Sequence, residues 1–362
     1  MEKEPQKIRL ALSPQAGRYA RPDAPLEARL MAAGGALPLP PVELATVLFA
    51  LMHDPEAEVK AKARESLESL PESVCAVVLS GAAHPAVLSH LARAFEKDEA
   101  RLEKLALNPA TDDATVAFLA TTHFRRVIDI VSNNQERLLR YPEIVEALGS
   151  NPLTGRSTID RILSFLDVER GGVDVDVPAA PEQVSEADAA AALRAVLGDE
   201  FGELASSLTV ESTEEGEPSE EDEARSKSLY AIIQKMTVFQ KIKLARLGNR
   251  EARGLLVRDR NKIIAVAAVS SPKVTETEIV AFAQSRSVSD DILRIISRNR
   301  DWTRNYQVKF ALATNPKSPQ ATAMKFVNYL QERDLYQIMR SRDVPGAVSA
   351  HARRILMKKG KV

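Results

Sequence analysis

Apolar residues recur at helical spacing along much of the chain, and no alternating apolar and polar run is long enough to indicate a β-sheet. The two clearest stripes are Leu44, Val47, Leu48 and Leu51, and Val59, Ala63, Leu67 and Leu70. Residues spaced by three and four lie on one face of a helix, so each stripe predicts an amphipathic helix. We therefore predict an all-α fold.

Proline and capping residues indicate where these helices begin. Thr237 with Gln240 and Thr275 with Glu278 have the spacing of capping boxes, and Gly248 indicates a helix end. Proline fits the first helical position because an N–H there would have no partner within the helix, so proline loses no hydrogen bond. On this basis we predict helix starts at Asp54-Pro55, His84-Pro85, Asn108-Pro109, Asn151-Pro152, Ser271-Pro272, Asn315-Pro316, Ser318-Pro319 and Val344-Pro345.

Two segments of the chain resemble each other without a gap. Residues 151–166 and 315–330 share Asn-Pro at their first two positions, and their apolar stripes superimpose. Upstream, Pro109 lies 43 residues before Pro152, and Pro272 lies 44 residues before Pro316. A recurrence of this length is typical of two- or three-helix repeats, so we interpret the segments as products of a duplication.

The charge divides the chain into three parts. Residues 1–166 carry 19 basic and 22 acidic side chains, residues 167–224 carry 2 and 18, and residues 225–362 carry 28 and 10. The net charges are therefore −3, −16 and +18. We predict a poorly ordered segment at 1–36, a helical repeat block at 37–166, an acidic linker at 167–226 and a basic helical repeat block at 227–362.

The linker includes one apolar stripe at helical spacing, within residues 189–208. This stripe predicts a short helix inside an otherwise disordered tether. Two interpretations remain open. The helix could pack on its own protein, or it could dock into the groove of a partner.

The segment Asp54–Ala63 resembles the second helix of a HEAT repeat. It begins Asp-Pro, places Val59 five residues after Asp54, follows it with Lys60 and carries Ala63 four residues after Val59. The last unit, Val344–Arg354, resembles the same pattern with one residue fewer before the valine. The resemblance implies an α-solenoid of two blocks that binds macromolecules on its concave face, and it brings no catalytic residues.

The sequence contains little that is typical of an enzyme or of a cofactor site. Cys75 is the only cysteine, and none of the five histidines is paired with another at i+3 or i+4. No phosphate loop, dinucleotide glycine pattern or Gly-x-Ser-x-Gly motif occurs. We therefore expect no enzymatic activity, no metal and no cofactor. With no secretory signal and no apolar run of membrane-spanning length, we expect a cytoplasmic protein that is not inserted in a membrane.

The basic C-terminal block contains two clusters of cations that could form a binding face. The candidate residues are Arg250, Arg253, Arg258, Arg260 and Lys262, and Arg298, Arg300, Trp302, Arg304 and Tyr306. Guanidinium groups bind phosphates and carboxylates, and aromatic faces stack on bases. In the alternative interpretation, Trp302 and Tyr306 pack between helices while the arginines are solvated or cap helix ends.

These features favour a protein–protein interaction scaffold whose basic face binds an acidic protein partner. The alternative is a nucleic-acid-binding protein that contacts the phosphate backbone through the same face. An intramolecular contact between the acidic linker and the basic block would compete with either partner.

Deletion of residues 210–224 tests that competition, because it removes Glu211, Glu214, Glu215, Glu217, Glu220, Glu221, Asp222 and Glu223. We predict tighter binding to heparin, because a linked acidic segment competes at high effective concentration. The gain should shrink with added salt, since charges separated by more than about 10 Å are screened at 0.1 M. Reversal of Arg298, Arg300 and Arg304 to glutamate should abolish it. Unchanged heparin binding at low salt would contradict the competition.

Overall fold

The computed structural model describes residues 9–21, 23–171, 229–341 and 343–359. Within these ranges every regular element is a helix, and none of the described residues forms a β-strand. The all-α prediction is therefore confirmed. The chain divides into two compact units, Met1–Thr158 and Ile159–Val362.

The first unit is a series of short helices. They are α1 (Pro14–Ala20), α2 (Leu26–Ala33), α3 (Pro41–Leu51), α4 (Ala57–Glu68), α5 (Glu72–Ser80), α6 (Pro85–Ala94), α7 (Glu99–Leu107), α8 (Asp113–Leu119), α9 (Arg125–Asn133), α10 (Gln135–Arg140) and α11 (Pro142–Ser150). Helix α12 (Arg156–Gly171) begins at the end of this unit.

The second unit has helices of similar length. Residues 229–235 are helical and precede α13 (Val238–Leu247), α14 (Arg250–Leu256), α15 (Lys262–Val269), α16 (Glu276–Gln284), α17 (Asp290–Arg298), a 3₁₀ helix (Trp302–Arg304), α18 (Tyr306–Thr314), α19 (Gln320–Val327), α20 (Glu332–Arg340) and α21 (Gly346–Lys358).

Within each unit, helices pack against helices two or three elements away. In the first unit α5 contacts α7, α7 contacts α9, α6 contacts α8, and α8 contacts α11. In the second unit α13 contacts α15, α15 contacts α17, α14 contacts α16, and α16 contacts α18. The contacting pairs therefore follow the same order in both units.

The elements themselves also correspond, from α5–α12 in the first series to α13–α19 with the 3₁₀ helix in the second. Helices α9 and α17 are both nine residues long, and their C-cap residues are Asn134 and Asn299 respectively. Helix α12 begins at Arg156 and α19 at Gln320, five residues after Asn151 and Asn315 in each case. The similarity seen at 151–166 and 315–330 thus extends over a longer series of elements.

The core consists of the apolar stripes that the sequence predicts. Val59, Ala63 and Leu67 on α4 are fully buried, as are Val47 and Leu48 on α3. Aliphatic side chains and alanines fill most of the space between helices, which brings the short helices close together. At about 25 cal/mol per Å² of apolar surface, this burial is the main favourable contribution to folding.

A buried asparagine at the end of α11 joins that helix to α8. Asn151 Nδ2 donates to the carbonyl oxygens of Ala120 and Thr122, at 2.8 Å each. Its Oδ1 accepts from the backbone N–H of Leu153 at 2.9 Å. Carbonyl groups at a helix end have no partner within the helix, and a buried unpaired carbonyl is costly. The carboxamide of Asn151 therefore supplies hydrogen bonds to carbonyl groups at the end of α8, and it also fixes the turn that follows α11.

The same arrangement occurs at the ends of α7 and α18. Asn108 Nδ2 donates to Leu79 O (2.7 Å) and Gly81 O (2.9 Å), and Asn315 Nδ2 donates to Ala283 O (2.7 Å) and Ser285 O (3.0 Å). Their Oδ1 atoms accept from Ala110 N and Lys317 N. At the end of α15, Ser271 takes this position and its hydroxyl donates to Arg246 O at 2.9 Å. We call these three asparagines the asparagine clamps.

The clamps correct one sequence interpretation. None of the four pairs Asn108-Pro109, Asn151-Pro152, Ser271-Pro272 and Asn315-Pro316 begins a helix; the next helix begins five residues after the first residue of each pair. The carboxamide of each asparagine, or the hydroxyl of Ser271, donates to carbonyl groups at the end of a preceding helix, which places each pair in a turn. Asp54-Pro55 also precedes its helix, since α4 begins at Ala57. Ser318 provides no side-chain cap, because Pro319 is at the N-cap of α19.

Other boundary predictions are confirmed. Thr237 with Gln240 and Thr275 with Glu278 form complete capping boxes, and Gly248 ends α13. Helix α6 begins at Pro85, with His84 at its N-cap.

The prediction of a poorly ordered segment at 1–36 is wrong for α1 and α2. Ala16, Ala32 and Ala33 are buried there, and Arg29 forms a buried ion pair with Asp54. These helices bury alanines and one arginine in place of large apolar side chains, so the sequence shows no apolar stripe that would have predicted them. Nearly all of the linker predicted at 167–226, including the helix within 189–208, lies outside the described residues.

An asparagine clamp can be tested by substitution. We predict that Asn315→Ala lowers the free energy of unfolding by about 2–4 kcal/mol, because it leaves buried carbonyl groups unpaired. Asn328→Ala provides the control, since Asn328 is exposed and bonds only to Met324 O and His351 in the structure. Urea unfolding monitored by circular dichroism measures both. Equal losses in the two variants would contradict a clamping role.

Candidate binding groove

The first predicted cluster of cations does not form one surface. Arg250, Arg258 and Arg260 are exposed, whereas Lys262 forms an ion pair with Asp291 at 3.0 Å. Arg253 is fully buried. Only part of this cluster is therefore available to a partner.

Arg253 is bonded within the core of its unit, so its assignment to the binding face is wrong. Its Nε and Nη2 donate to the two carboxylate oxygens of Glu278, at 2.8 and 2.9 Å, and its Nη1 donates to Gly248 O at 2.6 Å. Helix α14 thereby joins the end of α13 to the start of α16. Glu278 also accepts from the backbone N–H of Thr275 in the capping box, so the buried carboxylate is well satisfied.

Tyr306, in the second cluster, is also occupied within the protein. Its hydroxyl donates to a carboxylate oxygen of Asp334 and accepts from the backbone N–H of Gln331 at 3.0 Å. Burial, together with the hydrogen bond to Asp334, raises the pKa of the Tyr306 phenol. The side chain therefore connects the start of α18 to the start of α20, in agreement with the packing interpretation.

Trp302 is half-buried in the 3₁₀ helix, and its backbone N–H donates to Asn299 Oδ1 at 3.4 Å. The corresponding residue of the first series is Arg137, whose N–H donates to Asn134 Oδ1 at 3.2 Å. Arg137 is buried and donates to the carbonyl oxygens of Asn108, Pro109 and Thr111. This position therefore supports packing in the first series.

A groove of about 480 Å³ lies between α17 and α19. It is lined by Arg294, Ser297, Arg298, Arg300, Thr303, Pro319, Ala321, Thr322, Lys325 and Phe326. Four of these residues are cationic and none is acidic. We call this surface the basic groove.

Three of the four cations have no carboxylate partner among the described residues. Neither Arg298 nor Arg300 forms an ion pair with any described residue, and both are exposed. Arg294 forms an ion pair with Asp290 at 3.4 Å, and both side chains are half exposed. Such an exposed pair contributes little to stability. The ammonium of Lys325 lies 5.5 Å from the centre of the Phe326 ring. The basic groove therefore carries a largely uncompensated positive charge.

Arg304, the last predicted residue, is exposed outside the groove lining and lies 3.4 Å from Asp301. Sequence reasoning had included Arg298 and Arg300 but missed Arg294, Thr322 and Lys325. The spacing of Arg294 and Arg298 by four residues on one helix was a usable signal. Lys325 came from a helix far away in sequence, and no local pattern connects it with Arg298.

The positions of the first series that correspond to the three groove arginines are not basic, whereas Arg161 corresponds to Lys325. Aligning the nine residues of α17 with the nine of α9 places Asp129 at Arg294, Asn133 at Arg298 and Gln135 at Arg300. Both helices pack in the same order against their neighbours. The packing of this element therefore does not require the three arginines.

Chemically, the basic groove can bind anions. Its lining contains no carboxylate, imidazole or thiol that could transfer a proton or attack a substrate. Among the described residues, no group of three or more His, Cys, Asp or Glu side chains is placed to hold a metal ion.

Comparison with known proteins adds no relative. No protein-family model matches the chain, and no curated protein or solved structure is significantly similar to it. The helices in the described ranges are all too short or too polar to cross a bilayer.

The buried pair of Arg253 and Glu278 yields a stability prediction. Arg253→Met should lower the free energy of unfolding by about 3–5 kcal/mol, because it leaves a buried carboxylate without its counter-ion. Adding Glu278→Gln should recover part of the loss, since glutamine removes the charge and can still cap Thr275. Arg250→Met, an exposed neighbour, should change stability by no more than about 0.5 kcal/mol. Thermal and urea unfolding measure the effects; a fully tolerated Arg253→Met would refute the role of the pair.

Proposed function

We propose that this chain is a non-enzymatic binding protein whose basic groove holds an acidic segment of a partner protein. The observation that carries the proposal is the groove itself, with four cations around about 480 Å³ and no acidic residue in its lining. Arginine and lysine side chains without internal counter-ions bind carboxylates through charge-assisted hydrogen bonds. Positive charge held in a concave surface also accelerates association with a negatively charged partner.

We further propose that the helices belong to an α-solenoid similar to HEAT repeats, built by duplication of the series α5–α12. Three observations support this: the matching order of elements, the matching order of contacts and the recurring asparagine clamps. Repeat proteins of this kind use extended surfaces to bind other macromolecules.

The lining of the groove favours a protein partner over a nucleic acid. Binding of single strands relies on exposed aromatic faces on which bases stack. Trp302 and Tyr306 were the candidates for stacking, but neither lines the groove, and Tyr306 is held by Asp334 and Gln331. The four cations also surround a single cavity of about 480 Å³, whereas binding of a nucleic-acid backbone uses a row of cations along several phosphates.

A cytoplasmic location fits this proposal. The only cysteine, Cys75, is buried, and the pKa of its thiol is raised by burial, so it behaves as a small apolar side chain. A chain without a disulfide suits a reducing compartment.

The proposal can be tested by fluorescence anisotropy with the full chain and a labelled glutamate-rich peptide. The double variant Arg298→Asn/Arg300→Gln introduces the residues of the first series and should weaken peptide binding about tenfold or more. The control Arg250→Gln/Arg258→Gln removes the same charge outside the groove, so its effect should be about threefold or less, because distant exposed charges are screened.

Labelled duplex and single-stranded DNA provide the competing arm of this experiment. If either DNA binds more tightly than the peptide and its binding depends on the groove residues, the partner is a nucleic acid and the proposal of a protein partner is wrong. Equal losses in the groove variant and its control would show that only the overall charge matters, and would contradict the proposed site.

A further inference from the structure

We infer that the basic groove is specific for a phosphorylated serine or threonine side chain within the acidic segment it binds. This inference rests on the proposed function and names the chemical group that would bind at the centre of the groove. The evidence is the concentration of charge, the type of donors and the position of the helix end that opens onto the groove.

The concentration of charge exceeds what one carboxylate can balance. Four cations line a single groove. Among them, in the described part of the chain, only Arg294 has a carboxylate partner, Asp290, and both side chains of that pair are half exposed. Glutamate side chains supply one charge each and must be brought together to neutralise this set. A phosphate monoester carries about −2 on one small group at neutral pH. It therefore matches the groove with a single side chain.

The donors in the groove suit the shape of a phosphate. Three of its four cations are arginines, whose planar guanidinium groups donate two parallel hydrogen bonds to phosphate oxygens. Thr322 adds a hydroxyl that has no hydrogen-bond partner among the described residues. By contrast, the hydroxyls of Ser297 and Thr303 already donate to the carbonyl oxygens of Arg294 and Asn299. Arginine forks and one hydroxyl are therefore available to an incoming anion.

The first turn of α19 contributes further donors on the same side. Ala321 and Thr322 belong to this turn and line the groove. The N-cap residue is Pro319, which provides no side-chain acceptor, so the amides of this turn are not capped by a side chain. Helix α16 differs in that Thr275 and Glu278 form a complete capping box. Uncapped amides next to three arginines add to the attraction for an anion.

Comparison with the first series shows that packing does not require the three arginines of the groove. Asp129, Asn133 and Gln135 occupy the positions of Arg294, Arg298 and Arg300 in an element with the same length and neighbours. The three arginines are therefore specific to the second series, where the groove lies, while Lys325 has Arg161 as its counterpart.

The experiment uses the full chain and three labelled glutamate-rich peptides that differ at one central position, which is phosphoserine, serine or aspartate. We expect the phosphoserine peptide to bind about tenfold or more tightly than the serine peptide, with the aspartate peptide in between. Arg298→Asn/Arg300→Gln should remove this preference, while Arg250→Gln/Arg258→Gln should keep it. Thr322→Val should reduce the preference severalfold.

Folding of the variants is checked by thermal unfolding, and Lys325→Gln, on a different helix, provides a second groove variant that should also reduce the preference. Equal affinities for the three peptides, all weakened by the groove variants, would overturn the phosphate inference and leave the proposed function standing. A phosphoserine preference that survives both groove variants would overturn the inference as well. If no peptide binds, or if duplex DNA binds more tightly than any peptide, the proposed function and this inference both fail.

Discussion

The carboxamide of a buried asparagine is the interaction on which the packing of these short helices depends. A short helix has many unpaired end groups relative to its length, and it can be buried only if those groups find partners. Asn108, Asn151 and Asn315 meet this requirement at three helix ends by donating to two carbonyl oxygens each. The alanines and branched aliphatic side chains can then bring the helices close together.

Because the apolar stripes and the clamps stabilise the packing of the helices, the outward-facing residues of each helix are left to vary. The two corresponding series show this directly, since Asp129 and Arg294 occupy the same position of helices that pack alike. The basic groove is built from such outward-facing positions. The charge at such positions can thus differ while a helix keeps its length and its packing neighbours.

The elements that the sequence predicted well are those with a strong local pattern. The stripe of Val59, Ala63 and Leu67 is buried as expected, and both capping boxes form. The role of Asn315 was not predictable, because its partners Ala283 and Ser285 lie about thirty residues earlier. Arg253 and Arg298 were indistinguishable in the sequence, since only the three-dimensional position of Glu278 separates a buried cation from an exposed one. Thr322 and Lys325 were missed for the same reason, because α17 and α19 meet only in the folded unit, whereas Arg294 lies four residues before Arg298 and had a local signal.

The span of the clamps also bears on how the chain reaches its folded state. Their hydrogen bonds join residues 27 to 32 positions apart, in a chain of 362 residues. Closing a loop of this length costs little more conformational entropy than closing one half as long, and contacts of short sequence separation favour rapid folding. Each clamp can form as soon as its own two helices have collapsed together. Contacts of this separation give a low contact order, and a local opening at one clamp need not spread through the rest of its unit.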